Sequence, residues 1–242
     1  MDLPKLPDYK NEAELGLAIK ESGVPRSELF VTTKAIDHQN IQGSLQDSLQ
    51  KLGLEYIDLY LIHEPFSARG SAEALQAAWR GMEACVDKGL ARDIGVSNFQ
   101  VPHLETVLET SRIRPAVNQV ELHPYLPRAG LVDFCRRNGI TVEAFGPLTP
   151  LTRVSPGPVD DVVGRLAEKH RVGTSAVLLR WLVERGVVVV TTSGKRERLQ
   201  EYLTQVPTLR LSQKEVEEIS TAGEGKRFRQ FLADAYGQDN WE

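Results

Sequence analysis

Lys34, His63, Ser97, Asn98 and Gln119 are polar residues at or near the ends of short apolar runs, which is where side chains able to do chemistry would be placed. His63 closes the run from Ile57 to Ile62, and Pro65 stops it two residues later. Such a run, apolar on both faces, reads as a strand buried within a parallel sheet. In a parallel α/β fold the loops leaving the C-terminal strand ends form the active face. Lys34 and His63 could together polarise a carbonyl oxygen, the lysine through charge and the histidine through a hydrogen bond. The hydroxyl of Ser97 and the amides of Asn98 and Gln119 offer both donors and acceptors, which suits an uncharged ligand bearing an amide. Thr191, Thr192 and Ser193 end a further run. Each of these also has a plain reading as a strand-end loop residue, and His63 as a hydrogen-bonded structural histidine; their convergence is what favours a site.

The elements that must position these groups are legible along the chain. Helices are predicted from Asn11 to Gly23, over 41–52 with Gly53 as stop, over 72–88 with Gly89 as stop, and over 101–110, 131–138, 159–170, 175–184, 196–203 and 212–222. Leu75, Trp79, Met82 and Val86 form one apolar stripe and are expected in the core. Strands are predicted over 29–34, 57–63, 91–98, 116–122, 141–145 and 187–192. Residues 147–158 read as a loop rich in Pro, Gly and Thr. Six strands alternating with helices leave two candidates, a barrel and an open doubly wound sheet. No G-x-G-x-x-G motif follows a strand, which counts against a dinucleotide-binding Rossmann domain.

The chain has 242 residues, 41% of them hydrophobic and 26% charged, as expected of a single domain with a full core. Its net charge of −4 is without a basic block, so neither a nucleic-acid nor a polyanion partner is expected. No apolar run is long enough for a membrane span and no leader precedes the first helix, so a cytoplasmic protein is expected. Cys85 and Cys135 lack metal-ligand spacing and are expected to be buried thiols; no metal site is expected.

These residues resemble the aldo-keto reductases over essentially the whole chain. The resemblance rests on Tyr9-Lys10-Asn11-Glu12 with Gly16, Leu29 to Lys34, Asp58 to His63, Gly95 to Phe99, and Pro115 to Glu121, in that order. Val190 to Lys195 and the tail from Arg227 to Gly237 are similar to fungal reductases of α-keto amides and related dicarbonyls. The resemblance implies a (β/α)8 barrel lacking its first two strands and the helix between them, with the N-terminus incomplete. It implies reduction of aldehydes or ketones with NADPH by a monomer whose partner is a small carbonyl substrate. Tyr9 matches the proton donor, Lys34 the residue that lowers its pKa, and His63 the residue that orients the substrate. Ser97, Asn98 and Gln119 match positions on the nicotinamide carboxamide, and Phe145 the ring that stacks on it. Gly146 and Leu148 fall among the cofactor-binding positions, and Ser193, Lys195 and Arg198 in the segment holding the adenosine 2'-phosphate. Three departures stand out: Pro4 occupies the family's catalytic Asp position, Phe145 replaces the usual Tyr, and Thr192 sits where many relatives have Lys. Pro4 and the missing strands together leave open an alternative, a catalytically impaired nucleotide-binding or regulatory relative, or a truncated product.

Overall fold

The computed structural model describes residues 2–3, 11–66 and 71–236, so Pro4, Tyr9 and Trp241 lie outside the described residues. The chain divides into two compact units, residues 1–119 with 137–140, and residues 120–136 with 141–242.

The first unit alternates strand and helix. Its strands are β1 (Asp2–Leu3), β2 (Phe30–Ala35), β3 (Ile57–Ile62), β4 (Ala91–Ser97) and the first part of β5 (Val117–Glu121). Between them run α1 (Glu12–Ser22), α2 (Ile41–Leu52), α3 (Ala72–Asp87) and α4 (Val101–Leu108). Each of β1 to β4 pairs in parallel with the next. Every residue of β3 is buried, as an apolar run covered on both faces should be. Helix ends are set locally: Asn40 and Ser71 cap α2 and α3 by accepting from backbone N–H groups, and Gly23 and Gly53 leave α1 and α2 in the left-handed conformation. Leu75, Trp79 and Met82 are buried, as the apolar stripe of α3 requires, while Val86 is half-buried. Gly95 has a steric reason: a Cβ there would lie 2.6 Å from the Val117 carbonyl oxygen, so β4 and β5 approach only without a side chain.

The second unit holds the end of β5, then α5 (Ala129–Arg137) as far as Arg136, and β6 (Thr141–Phe145). There follow α6 (Thr149–Arg153), α7 (Asp160–His170), α8 (Thr174–Glu184) and β7 (Val188–Val189), which pairs in parallel with β6. The unit ends with α9 (Arg196–Thr208), α10 (Gln213–Glu224) and α11 (Ala233–Tyr236). Trp181 is fully buried, and its indole donates to the Val216 carbonyl and the Ser220 hydroxyl, tying α8 to α10. Glu215 closes a capping box with Ser212 and accepts from Lys169 of α7 at 2.9 Å.

The six strands read from sequence are present as β2 to β7, and β1 adds two residues. The described strands thus number seven, short of the eight of a closed barrel, and the architecture stands as parallel α/β. Two local expectations are corrected. Residues 147–158 are not all loop: α6 forms there, with Pro150 early in its first turn, where a missing N–H costs nothing. The β-branched run 187–192 pairs as a strand only at Val188 and Val189, with one further backbone bond from Val190 to Ala144. No helix among the described residues is long and apolar enough to cross a membrane.

Candidate functional site

In the first unit the register of the parallel strands puts Lys34, His63, Ser97 and Gln119 together. Ala35 aligns with Ile62, Ile62 with Val96, and Ser97 with Gln119. His63 follows β3 directly, and its backbone N–H donates to the Ala35 carbonyl at 2.9 Å. The Lys34 ammonium donates to the Gln119 side-chain oxygen at 2.5 Å. These two residues lie on β2 and β5, three strand spacings or about 14 Å apart if the sheet were flat. Contact between them therefore requires the sheet of this unit to curl toward the face they share. Both are buried, at 5% and 2% exposure, so the charge on Lys34 depends on polar partners rather than on water.

The Gln119 backbone carbonyl accepts twice, from the Ser97 hydroxyl at 2.8 Å and from the Asn98 N–H at 2.9 Å. The Asn98 amide donates to the His63 carbonyl at 3.0 Å and to the Ser97 oxygen at 3.2 Å. Asn98 has φ of 61°, a left-handed conformation that Asn tolerates better than most residues. Asn118 braces the turn by donating from its side chain to the Phe99 carbonyl at 3.0 Å. The cluster therefore has a fixed geometry. It combines one buried ammonium, one hydroxyl and two carboxamides, with His63 joined to it through its backbone, a set that can hold an amide.

Two buried tyrosines are committed elsewhere. Tyr60 donates to the Ile41 carbonyl at 3.0 Å, and burial pushes its phenol far above the ordinary value. The Tyr125 oxygen accepts from the Val159 N–H, and burial raises its pKa as well. Tyr9, the proton donor expected from sequence, lies outside the described residues.

In the second unit Phe145 ends β6, and its ring meets Phe231 edge-on with centroids 5.4 Å apart. Gly146 follows with φ of 63°, and Leu148 stands at the N-cap of α6. Ser193 accepts the Lys195 N–H at 3.1 Å, at the approach to α9. Lys195, Arg196 and Arg198 are exposed at the N-terminal turn of that helix. Cations there oppose the helix dipole, whereas an anion would be favoured. Three cations so placed make that helix start suited to a phosphate.

Two polar centres were not singled out from sequence. Asp58 on β3, 3% exposed, accepts from the Val31 N–H at 2.8 Å and pairs with Arg26 and Arg92 at 2.7 and 3.2 Å. Glu121, ending β5 at 1% exposure, accepts from the Gln230 and Phe231 N–H groups at 2.8 and 3.0 Å and contacts His123 Nε2 at 3.1 Å. Burial holds the His123 pKa below its usual value against the pull of Glu121, with Arg128 and Arg229 adding to the depression. The available signal was a carboxylate inside an apolar strand, which must find partners. Among the described residues no group of three or more His, Cys, Asp or Glu is arranged to hold a metal.

Residues 7–224 match the family described as Aldo/keto reductase family. An NAD/NADP-dependent indole-3-acetaldehyde reductase of Schizosaccharomyces pombe is 41% identical over 227 residues, covering 93% of this chain and 80% of the relative. An NADPH-dependent alpha-keto amide reductase of Saccharomyces cerevisiae is 34% identical over 245 residues, covering 96% of this chain and 78% of the relative. Among solved structures, a Bombyx mori aldo-keto reductase in complex with NADP superposes with a TM-score of 0.85 at 32% identity, covering 96% of this chain and 81% of that one.

Proposed function

The chain belongs to the aldo/keto reductase family, a family of NAD(P)-dependent oxidoreductases, and from that premise we propose that it reduces aldehydes or ketones, α-keto amides and dicarbonyls among them, to alcohols with NADPH. The observation that carries the proposal is the curled cluster of Lys34, His63, Ser97, Asn98 and Gln119. Its donor set fits a nicotinamide carboxamide, which has one acceptor oxygen and two donor hydrogens for the Ser97 hydroxyl and the two side-chain amides to meet. Phe145 supplies an aromatic face, with Gly146 and Leu148 beside it in sequence. Ser193, Lys195 and Arg198 are the proposed ligands of a 2'-phosphate, for which Arg and Lys make charge-assisted hydrogen bonds.

The cofactor, when bound, supplies the hydride. The protein's part is to hold, orient and protonate. His63 orients the substrate oxygen by hydrogen bonding. Lys34 places a positive charge in a buried setting, where it favours the ionised form of a neighbouring phenol. In this proposal that phenol is Tyr9, whose ordinary pKa of about 10 would otherwise make it slow to give and recover a proton near neutrality. Tyr9 donates its proton to the carbonyl oxygen as the alcohol forms.

Purified protein mixed with NADPH and an α-dicarbonyl should lose the absorbance of the reduced cofactor. NADPH binding without turnover of any member of an aldehyde and ketone panel would leave a nucleotide-binding protein without chemistry.

A further inference from the structure

The carboxylate of Glu121 does something the proposed chemistry does not use. It is buried at the end of β5, and its two oxygens accept from consecutive backbone N–H groups 109 and 110 residues further on, Oε1 from Gln230 and Oε2 from Phe231. A carboxylate engaged in this way is a two-pronged clamp on the chain, and charge-assisted bonds of this kind are about twice as strong as neutral ones. Two other contacts hold the same segment, the Phe228 N–H donating to the Tyr125 carbonyl and the Thr149 hydroxyl to the Gln230 side chain, and Arg229 between them is buried.

Phe231 is the exception within this anchored stretch. Its backbone is clamped, yet the residue is 42% exposed, with its ring edge-on to Phe145. Gly146 lies beside both groups: a Cβ there would make ordinary contact with Glu121 Cγ at 3.6 Å and with the Phe231 ring at 3.8 Å, so it is the backbone at φ of 63°, and not a clash with either, that favours glycine. An exposed aromatic held at its own N–H is suited to present its ring to a ligand.

We propose that Glu121 is a positioning residue for specificity: by clamping the Gln230 and Phe231 N–H groups it holds the Phe231 ring against Phe145, and so forms an apolar wall that selects carbonyl substrates by bulk. The role rests on the reading of Phe145 as the ring that stacks on the nicotinamide of the bound cofactor. Glu121 itself touches neither substrate nor cofactor.

Glu121→Gln keeps the shape but offers one acceptor where two are used, and turns an NH2 group toward a backbone N–H. Hydrogen exchange of the protein without cofactor should show the 228–231 segment losing protection by about tenfold or more, the scale of one lost hydrogen bond to a charged group. With NADPH present, the KM for an aryl α-keto amide should change by about 2- to 10-fold, the range an edge-to-face aromatic contact carries, while kcat and the KM for a two- or three-carbon dicarbonyl hold. Phe231→Ala, which leaves the carboxylate untouched and guards against a folding defect in the first variant, should reproduce the KM change with the clamp still protected. Unchanged exchange at 228–231 in Glu121→Gln, or equal changes for both substrates in Phe231→Ala, would overturn the proposal. A wild-type protein that turned over no carbonyl would overturn the proposed function and the specificity role with it, and the cofactor-free exchange comparison would still report separately whether Glu121 holds the segment.

Discussion

Lys34 is the residue on which the proposed chemistry turns, because it is a buried charge whose polar contacts include the Gln119 side chain. Replacing it with Met preserves length and removes the charge. Turnover should fall by about 10²- to 10⁴-fold, the worth of a general acid–base contribution, and any remaining activity should have its pH profile displaced to higher pH as the phenol loses its positive neighbour. Steady-state rates across pH would show this; a profile that keeps its position would remove Lys34 from that role. Arg198 makes a second test. It is exposed in the first turn of α9, and Arg198→Ala should weaken NADPH binding by about 1 to 3 kcal/mol while leaving NADH nearly unchanged. Equal losses for both cofactors in a fluorescence titration would mean that Arg198 does not read the phosphate. His123 bears on stability. Burial lowers its folded pKa below the ordinary value of 6.5, so the unfolded chain takes up a proton first as pH falls. Stability from this group is therefore complete above pH 6.5 and is lost as pH falls from there toward the folded pKa. Urea unfolding at pH 7.5 and 5.5 should give a lower midpoint at the acid value, and His123→Gln should reduce the difference.

At the scale of elements, the strands of the first unit are joined by more than their ladders. Asp58 on β3 reaches the Val31 N–H on β2 and the Arg92 guanidinium on β4. Asp58→Ala would leave that N–H buried without its acceptor and take a carboxylate from Arg26, whose side chain is 21% exposed. The loss should be about 1 to 3 kcal/mol in urea unfolding, the cost of stranding a buried donor; a variant as stable as wild type would mean that water or a neighbour replaces the carboxylate. Elements were legible where the signal was local. The predicted helix over 41–52 matches α2 because Asn40 and Gly53 mark its ends chemically, and β3 matches because a mostly apolar run has one comfortable setting. Strand ends shifted by a residue or so, as at β2, because pairing and not composition ends a strand. Residues 147–158 hid α6 because Pro and Thr signal a loop, although Pro is also at home in a first helical turn. The run 187–192 overstated β7 for a related reason: Val187 and Val190 are buried there without extending the ladder.

For the whole molecule, the cluster around Gln119 could be read from sequence because parallel strands necessarily bring their C-terminal ends to one side, so a list of strand-end residues is already a rough map of the site. The Glu121 clamp could not, since partners 109 and 110 residues apart leave no trace in any local periodicity, and the aromatic residues of the tail are too irregularly spaced to announce a face. The same distinction bears on the proposed cofactor binding, whose proposed ligands are scattered along the sequence from Ser97 to Arg198, so that it should act on the folded chain and not on the unfolded one. A ligand with that preference adds stability by mass action, about 2.7 kcal/mol at a hundred times its Kd. For a chain of this size each kcal/mol raises the melting temperature by roughly 2 to 4 °C, so saturating NADPH should raise it by roughly 5 to 11 °C. NADH at the same concentration should raise it less, by the amount that the 2'-phosphate contacts at Lys195 and Arg198 contribute, and the gap should narrow in Arg198→Ala. A melting curve indifferent to NADPH up to millimolar concentration would mean that the chain does not bind the cofactor, and the proposed reduction would fall with it. A rise of equal size with both nucleotides would keep the reductase reading and remove the preference for NADPH.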